Sequence, residues 1–318
     1  MKNKIEWRMF FPLSAILLTL LMDTLIPNHP EAKNRNLIDF RILLFLILII
    51  LVVTCILFLF RDDLRKKYAE KSWLWGGVIL FLNVLNLVTV KFMLLPQVYF
   101  PSLNTILHVF VTDYAFLAKN MWSSFLLLLE GMAVGGIIGV ITGIAAGWSK
   151  TCNYWMAPLI RFLGPIPSST WVPLALVVFP KASWAAIFLI AFAVWFQMAI
   201  LTCSGIQEVK KAYFEISSTL GASDTQNLFR IAIPGALPVM FLGLFNATCG
   251  AFVALMSAEM LGCDSGIGWY INWQKKMLAY SNVYAGILII AVFCYAFLSL
   301  EMRSREKLLS WQKGVIKW

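Results

Sequence analysis

An all-α polytopic membrane protein is the fold class this sequence predicts, on three observations. Eight apolar runs are long enough to cross a bilayer, which takes about 20 mostly apolar residues. The chain is 60% hydrophobic and 13% charged over 318 residues, against about 45–50% and about 25% in ordinary globular domains. Its basic residues are also unevenly placed. With the N-terminus inside, eighteen Lys and Arg fall on the cytoplasmic side and eight on the outer side, as the positive-inside rule requires. The formal charge of +10 therefore follows topology and does not indicate a nucleic-acid partner. Both termini are expected in the cytoplasm.

The runs are 9–27, 41–60, 73–95, 122–147, 160–180, 183–206, 236–261 and 282–301. The first follows the basic flank Lys2, Lys4 and Arg8 and reads as a retained anchor, since it is span-length and no small-residue cleavage site follows it. The second, RILLFLILIILVVTCILFLF, is bulky, β-branched and without glycine, which suits a helix facing lipid. Between it and the third run lies the basic stretch Arg61, Arg65, Lys66, Lys67 and Lys71. In the fourth run Gly131, Gly135, Gly139, Gly143 and Gly147 recur at four-residue steps. Small residues at that spacing let another helix backbone approach closely, either within one subunit or at a dimer seam. The fifth run carries Pro165, Pro167, Pro173 and Pro180. An uninterrupted helix is not expected there, and a broken or re-entrant segment is permitted where protein lines it.

Between the sixth and seventh runs stands the longest polar, helix-competent segment, Gln207 to Pro238, QEVKKAYFEISSTLGASDTQNLFRIAIPGALP. Glu208 to Leu220 predicts a short helix, and Gly221 supplies the positive φ that ends it. Ser223 and Gln226 then form an S-x-x-Q capping box for a second helix, with Leu228, Phe229, Ile231 and Ile233 as its apolar residues until Pro234 and Pro238 intervene. A loop this long and this structured is more often functional than a simple connection.

Other chemistries find little support. The six cysteines are scattered without a C-x-x-C pair, and His29 and His108 lie far apart, so neither a disulfide framework nor a metal site is indicated. No cofactor is expected. No G-x-x-x-x-G-K-[ST] occurs, so the chain has no P-loop with which to bind ATP. No clustered nucleophile and base suggests an enzyme. An ion-coupled secondary transporter is the alternative reading, although neither an internal repeat nor a buried carboxylate pair supports it.

From about Ala118 to Ile271 the chain resembles the inner-membrane permease subunits of ABC importers, in particular the nitrate/sulfonate/taurine/bicarbonate branch. The carriers are EISSTLGASDTQNLFRIAIPGALP, which follows an E-A-A-x-x-x-G loop, PLIRFLGPIPSSTWVPL, and ALMSAEMLGCDSGIGWYI. Ile216 and Ser217 replace the two alanines of the loop motif, and Gly164 stands where an arginine is frequent. The resemblance implies a six-span type I permease core preceded by two extra spans. It divides the chain into extra spans with a basic loop at 1–72, a first core span and outer segment at 73–121, the core at 122–301 and a basic cytoplasmic tail at 302–318. It implies a prokaryotic inner-membrane location and three kinds of partner: a dimer of ATPase subunits, an extracytoplasmic solute-binding protein, and a second permease copy or a related permease. Glu215, Leu220, Gly221, Ala222, Ser223, Phe229, Arg230 and Pro234 would then couple to the ATPase. Trp195, Gln197, Asn246, Thr248, Ser257 and Glu259 are polar or aromatic groups within spans. Each is a candidate for the pathway or a gate, or for a hydrogen bond between helices. A sulfonate, a nitrate- or bicarbonate-like oxyanion, or a vitamin or pyrimidine precursor would be the solute.

Overall fold

Long apolar runs with no water to satisfy their backbone must close their hydrogen bonds internally, which leaves helices as the economical solution. The computed structural model describes residues 7–30, 38–59, 62–164 and 166–311, and among these every regular element is helical. Of the basic residues counted above for the two sides of the membrane, Lys2, Lys4, Lys33, Arg35, Arg61, Lys313 and Lys317 lie outside the described residues, as does Pro165. Among the described residues, seven helices are long and apolar enough to cross a membrane.

The chain divides into two units, one running to Tyr114 and including Gln274–Ala285, the other holding Ala115–Trp273 and the residues from Gly286 onward. The first unit is built on α1 (Phe11–Leu25), α2 (Ile38–Leu59), α3 (Asp62–Asn86) and the short α4 (Leu103–Thr112). Ala15, Ile16, Phe40, Leu44, Leu51 and Ile79 make its core, and Gly76 leaves room for the Phe11 ring. Lys91, which falls within the expected run 73–95 and is one of the eight basic residues counted on the outer side, is buried at the end of a π-helical turn, Leu87–Lys91. Its ammonium lies 3.1 Å from an Asp23 carboxylate oxygen and donates to the carbonyls of Asp23 and Ile26 at 2.8 and 2.7 Å. Those carbonyls belong to the C-terminal end of α1, where orphan acceptors and the helix dipole favour a cation. Arg41 adds a second bond to Asp23 at 2.8 Å, so this buried carboxylate is fully paired.

The second unit begins with α5 (Tyr114–Trp148). After it come α6 (Lys150–Leu163), a 3-10 turn at Ser168–Trp171, α7 (Val172–Val178) and α8 (Ala182–Gln207). The glycine stripe of α5 lies against α8 of the same chain. A β-carbon at Gly135 would overlap the carbonyl of Ala191, one at Gly143 would stand 2.6 Å from Thr202 Cβ, and one at Gly147 2.9 Å from Ile206 Cβ. Positions advance together along both helices, so α5 and α8 run parallel. Residues 149–181 must therefore carry the chain back over the same length. They do so in pieces: the expected run 160–180 contains no span-length helix, because Pro167 precedes the 3-10 turn and Pro173 sits in the first turn of the seven-residue α7.

The remaining helices are α9 (Lys211–Thr219), α10 (Asp224–Asn227), α11 (Ile233–Leu261), α12 (Ile267–Lys276) and α13 (Tyr280–Leu308). Gly205 faces Ala236 and Val239 while Gly243 faces Leu201, so α8 and α11 form an antiparallel hairpin. Its seam is made of small residues, Ala185, Ala186, Ala247, Ala251, Ala254 and Ala258, the way membrane helices pack without a hydrophobic driving force.

Candidate functional site

At the closed end of the α8–α11 hairpin the polar stretch 207–238 folds into two helices meeting at an elbow. Leu220 is the last residue before Gly221, whose φ is +80°. Gly221 N–H donates to Ser218 O at 3.0 Å and Ala222 N–H to Ser217 O at 3.1 Å, the paired bonds of a Schellman ending. Ser223 then caps α10. Its Oγ accepts from Gln226 N–H at 3.4 Å, and the Gln226 side chain accepts from Ser223 N–H at 2.9 Å. The capping box and the glycine stop stand where the sequence predicts them. Leu228–Ala232, expected as regular helix, is instead a π-helical turn leading into α11.

Two contacts that local patterns do not show hold the elbow in shape. Ser217 Oγ donates to Asn227 Oδ1 at 2.7 Å, joining α9 to α10, so Ser217 at a motif alanine position becomes a cross-brace. Phe214 meets the Trp148 ring edge-on at 5.8 Å and packs on a core of Ile206, Ala232, Ala236 and Met240. The underside of the loop is thus anchored to the helical bundle.

The upper side is open. Leu220 is 83% exposed and Phe229 66%, and Tyr213 and Ile216 are exposed beside them. Glu215, Gly221, Ser223 and Arg230 are exposed as well, while Ala222 and Pro234 are half-buried. The two arms enclose a groove of about 840 Å³ bounded by Glu208, Lys210, Tyr213, Ile216, Leu220, Arg230, Pro234 and, from the far end of the chain, Trp311. Four large apolar side chains are thus held exposed on a braced, otherwise polar loop.

The six span residues are not gathered into one site. Gln197 lines a hollow of about 150 Å³ together with Ser168, Phe196 and Gly250, where the broken segment meets α8 and α11. The Phe196 ring occupies the space that a side chain at position 164 would need, which Gly164 leaves free. Asn246 is exposed one turn before Gly250 on α11. Trp195 Nε1 donates to Thr142 Oγ1 at 3.1 Å, and Thr248 to Glu301 at 2.8 Å. Ser257 bonds the Val253 carbonyl of its own helix.

Glu259 is fully buried and clamps the turn that follows α11. One carboxylate oxygen accepts from Ser124 Oγ at 2.6 Å and the other from Gly268 N–H at 2.7 Å. Ser124 accepts in turn from Ile267 N–H at 2.8 Å, and Asn120 Oδ1 from Gly266 N–H at 3.0 Å. Gly266 has φ +115°, and a β-carbon there would overlap the carboxylate. Asn120 and Ser124, which no sequence motif singles out, thus pin the 262–268 turn to α5. A carboxylate in a span costs about 2.5–3.5 kcal/mol at a helix centre, and these bonds offset that cost.

A multi-pass helical membrane protein with a braced glycine-elbow loop beside a broken segment is the class that this fold and site define. The chain belongs to the family described as the binding-protein-dependent transport system inner membrane component, whose model matches residues 135–304. Among its relatives, the nitrate import permease protein NrtB of Synechococcus elongatus is 30% identical over 198 residues, 61% of this chain and 69% of that protein. The putative aliphatic sulfonates transport permease protein SsuC of Bacillus subtilis is 31% identical over 184 residues, 58% and 67% of the two chains. The taurine transport system permease protein TauC of Escherichia coli is 27% identical over 237 residues, 73% and 84%. The inward-facing MetNI methionine ABC transporter contains a chain of similar fold, with a TM-score of 0.50 at 17% identity, covering 58% of this chain and 93% of that one. The protein is accordingly a multi-pass permease subunit of an ABC importer.

Proposed function

We propose that the loop 207–238 is the surface through which a separate ATPase drives this permease. The observation that carries the reading is the rigid elbow presenting Tyr213, Ile216, Leu220 and Phe229 to solvent. Two copies of the chain, or this chain and a related permease, enclose the pathway, and an extracytoplasmic solute-binding protein delivers the solute. Both termini and the loop face the cytoplasm, in keeping with the distribution of basic residues. The hollow at Gln197 and Ser168, with Asn246 one turn from Gly250, supplies neutral hydrogen-bonding groups for a small polar solute. The relatives named for nitrate, sulfonates and taurine favour an oxyanion or sulfonate; a vitamin or pyrimidine precursor remains within the class. Glu259 holds the turn at the opposite end of α11 as a structural or gating clamp. ATP drives the cycle only by favouring one of two states of the loop and hairpin over the other.

Uptake into proteoliposomes, made with the chain and the subunits that co-purify with it, tests this reading. Uptake is expected to require ATP inside the ATPase compartment and to ignore an imposed ion gradient. Uptake that persists without ATP and collapses with an uncoupler contradicts it and identifies an ion-coupled transporter.

A further inference from the structure

The groove between the arms of the loop has one wall that the loop does not supply. Helix α13 ends at Leu308. Leu309 is then buried, its N–H bonded to the Arg305 carbonyl at 2.9 Å, so the chain is fixed at that point. Two residues later Trp311 stands at the lip of the groove, facing the same space as Tyr213, Ile216, Leu220 and Arg230. It is 57% exposed. A tryptophan seated along one edge and open on the rest, beside other exposed apolar groups, is the form that interface anchors take. The ionic groups around the groove are Lys210, Arg230 and Glu208, a net excess of one positive charge. The surface that fits is therefore apolar with an acidic rim.

We infer that the C-terminal end of α13 is a second part of the ATPase contact, so that an apolar, acid-rimmed segment of the ATPase packs between the coupling loop and Trp311. The inference rests on the assignment of the loop to the ATPase made above. It gives the C-terminal end of α13 a role in partner affinity that no coupling-loop motif contains. The groove's concave form favours a protein segment over a lipid surface, which meets convex amphipathic faces.

The test uses the full chain, purified with its ATPase in mild detergent, washed free of it and titrated again. Trp311→Ala is expected to weaken ATPase binding by about tenfold or more, the loss of a typical anchor side chain, and Trp311→Phe by clearly less. Both variants should elute and melt as the unaltered chain does, because Trp311 is largely exposed. Gly221→Val serves as the control for the loop. Unchanged binding by Trp311→Ala, with binding lost in Gly221→Val, overturns the inference and leaves the loop assignment standing. Binding lost in Trp311→Ala but kept in Gly221→Val overturns the loop assignment and, with it, the packing of an ATPase segment between the loop and Trp311. Full binding by both variants overturns both.

Discussion

Gly221→Val is expected to abolish uptake while leaving insertion of the chain into the membrane unchanged. The reason is conformational rather than steric. A β-carbon at Gly221 meets nothing within 4 Å, but φ at +80° costs an ordinary residue about 1–3 kcal/mol, and a β-branched one sits at the upper end. Between its two arms the elbow is braced by the Ser217–Asn227 bond and the capping box, each of which contributes about 1 kcal/mol. Strain of that size is enough to unlock the Schellman ending and turn α9 away from α10. Leu220 and Phe229 then no longer lie in one surface. Gly221→Asn tests the mechanism, because asparagine tolerates the left-handed region; it should retain most of the uptake. Normal uptake by the valine variant, or equal loss by both, contradicts the conformational account.

The second large effect lies at the other end of α11. Glu259→Ala removes the acceptor for Ser124 Oγ and for Gly268 N–H, both buried. A buried donor left without a partner costs about 1–3 kcal/mol, so the variant should be destabilised by about 2–5 kcal/mol and melt at a distinctly lower temperature in detergent. Gly266→Ala should be comparably severe, since its β-carbon overlaps the same carboxylate at a strained φ. With Glu259 already removed, the overlap is gone and only the backbone strain remains. The double variant should therefore fall well short of the sum of the two single losses. Strict additivity would show that Gly266 and Glu259 do not act on one clamp.

Much of this organisation is legible in the sequence where the determining physics is local. The stop at Gly221 and the cap at Ser223 depend on residues within a few positions of one another. The proline spacing likewise gives the break after α6, and the four-residue glycine step gives the close approach of α5. What sequence reading misses depends on partners brought together only by packing. Ser124 lies far from Glu259, Lys91 far from Asp23, and Trp311 far from Arg230. Lys91 shows the principle clearly. A lysine near the end of an apolar run reads as an outer-side charge, yet two C-terminal carbonyls of α1 and the Asp23 carboxylate give it three acceptors in the interior. The glycine stripe follows the same rule, since spacing alone says that a helix approaches but not which one. Its pairing with α8 becomes visible only through the contacts of Gly135, Gly143 and Gly147. The π-helical turn at Leu228–Ala232 has no local signature either, because its residues suit a regular helix equally well.

Position 220 offers the most direct test of the coupling assignment, since Leu220 is the most exposed large hydrophobic side chain on the elbow. A photoreactive residue in place of Leu220, activated in native membranes with and without ATP, should yield a cross-link to a P-loop ATPase whose intensity changes with nucleotide. Uptake by the same membranes in the absence of any ATPase adduct from this position would show that the loop is not the surface through which the permease is driven.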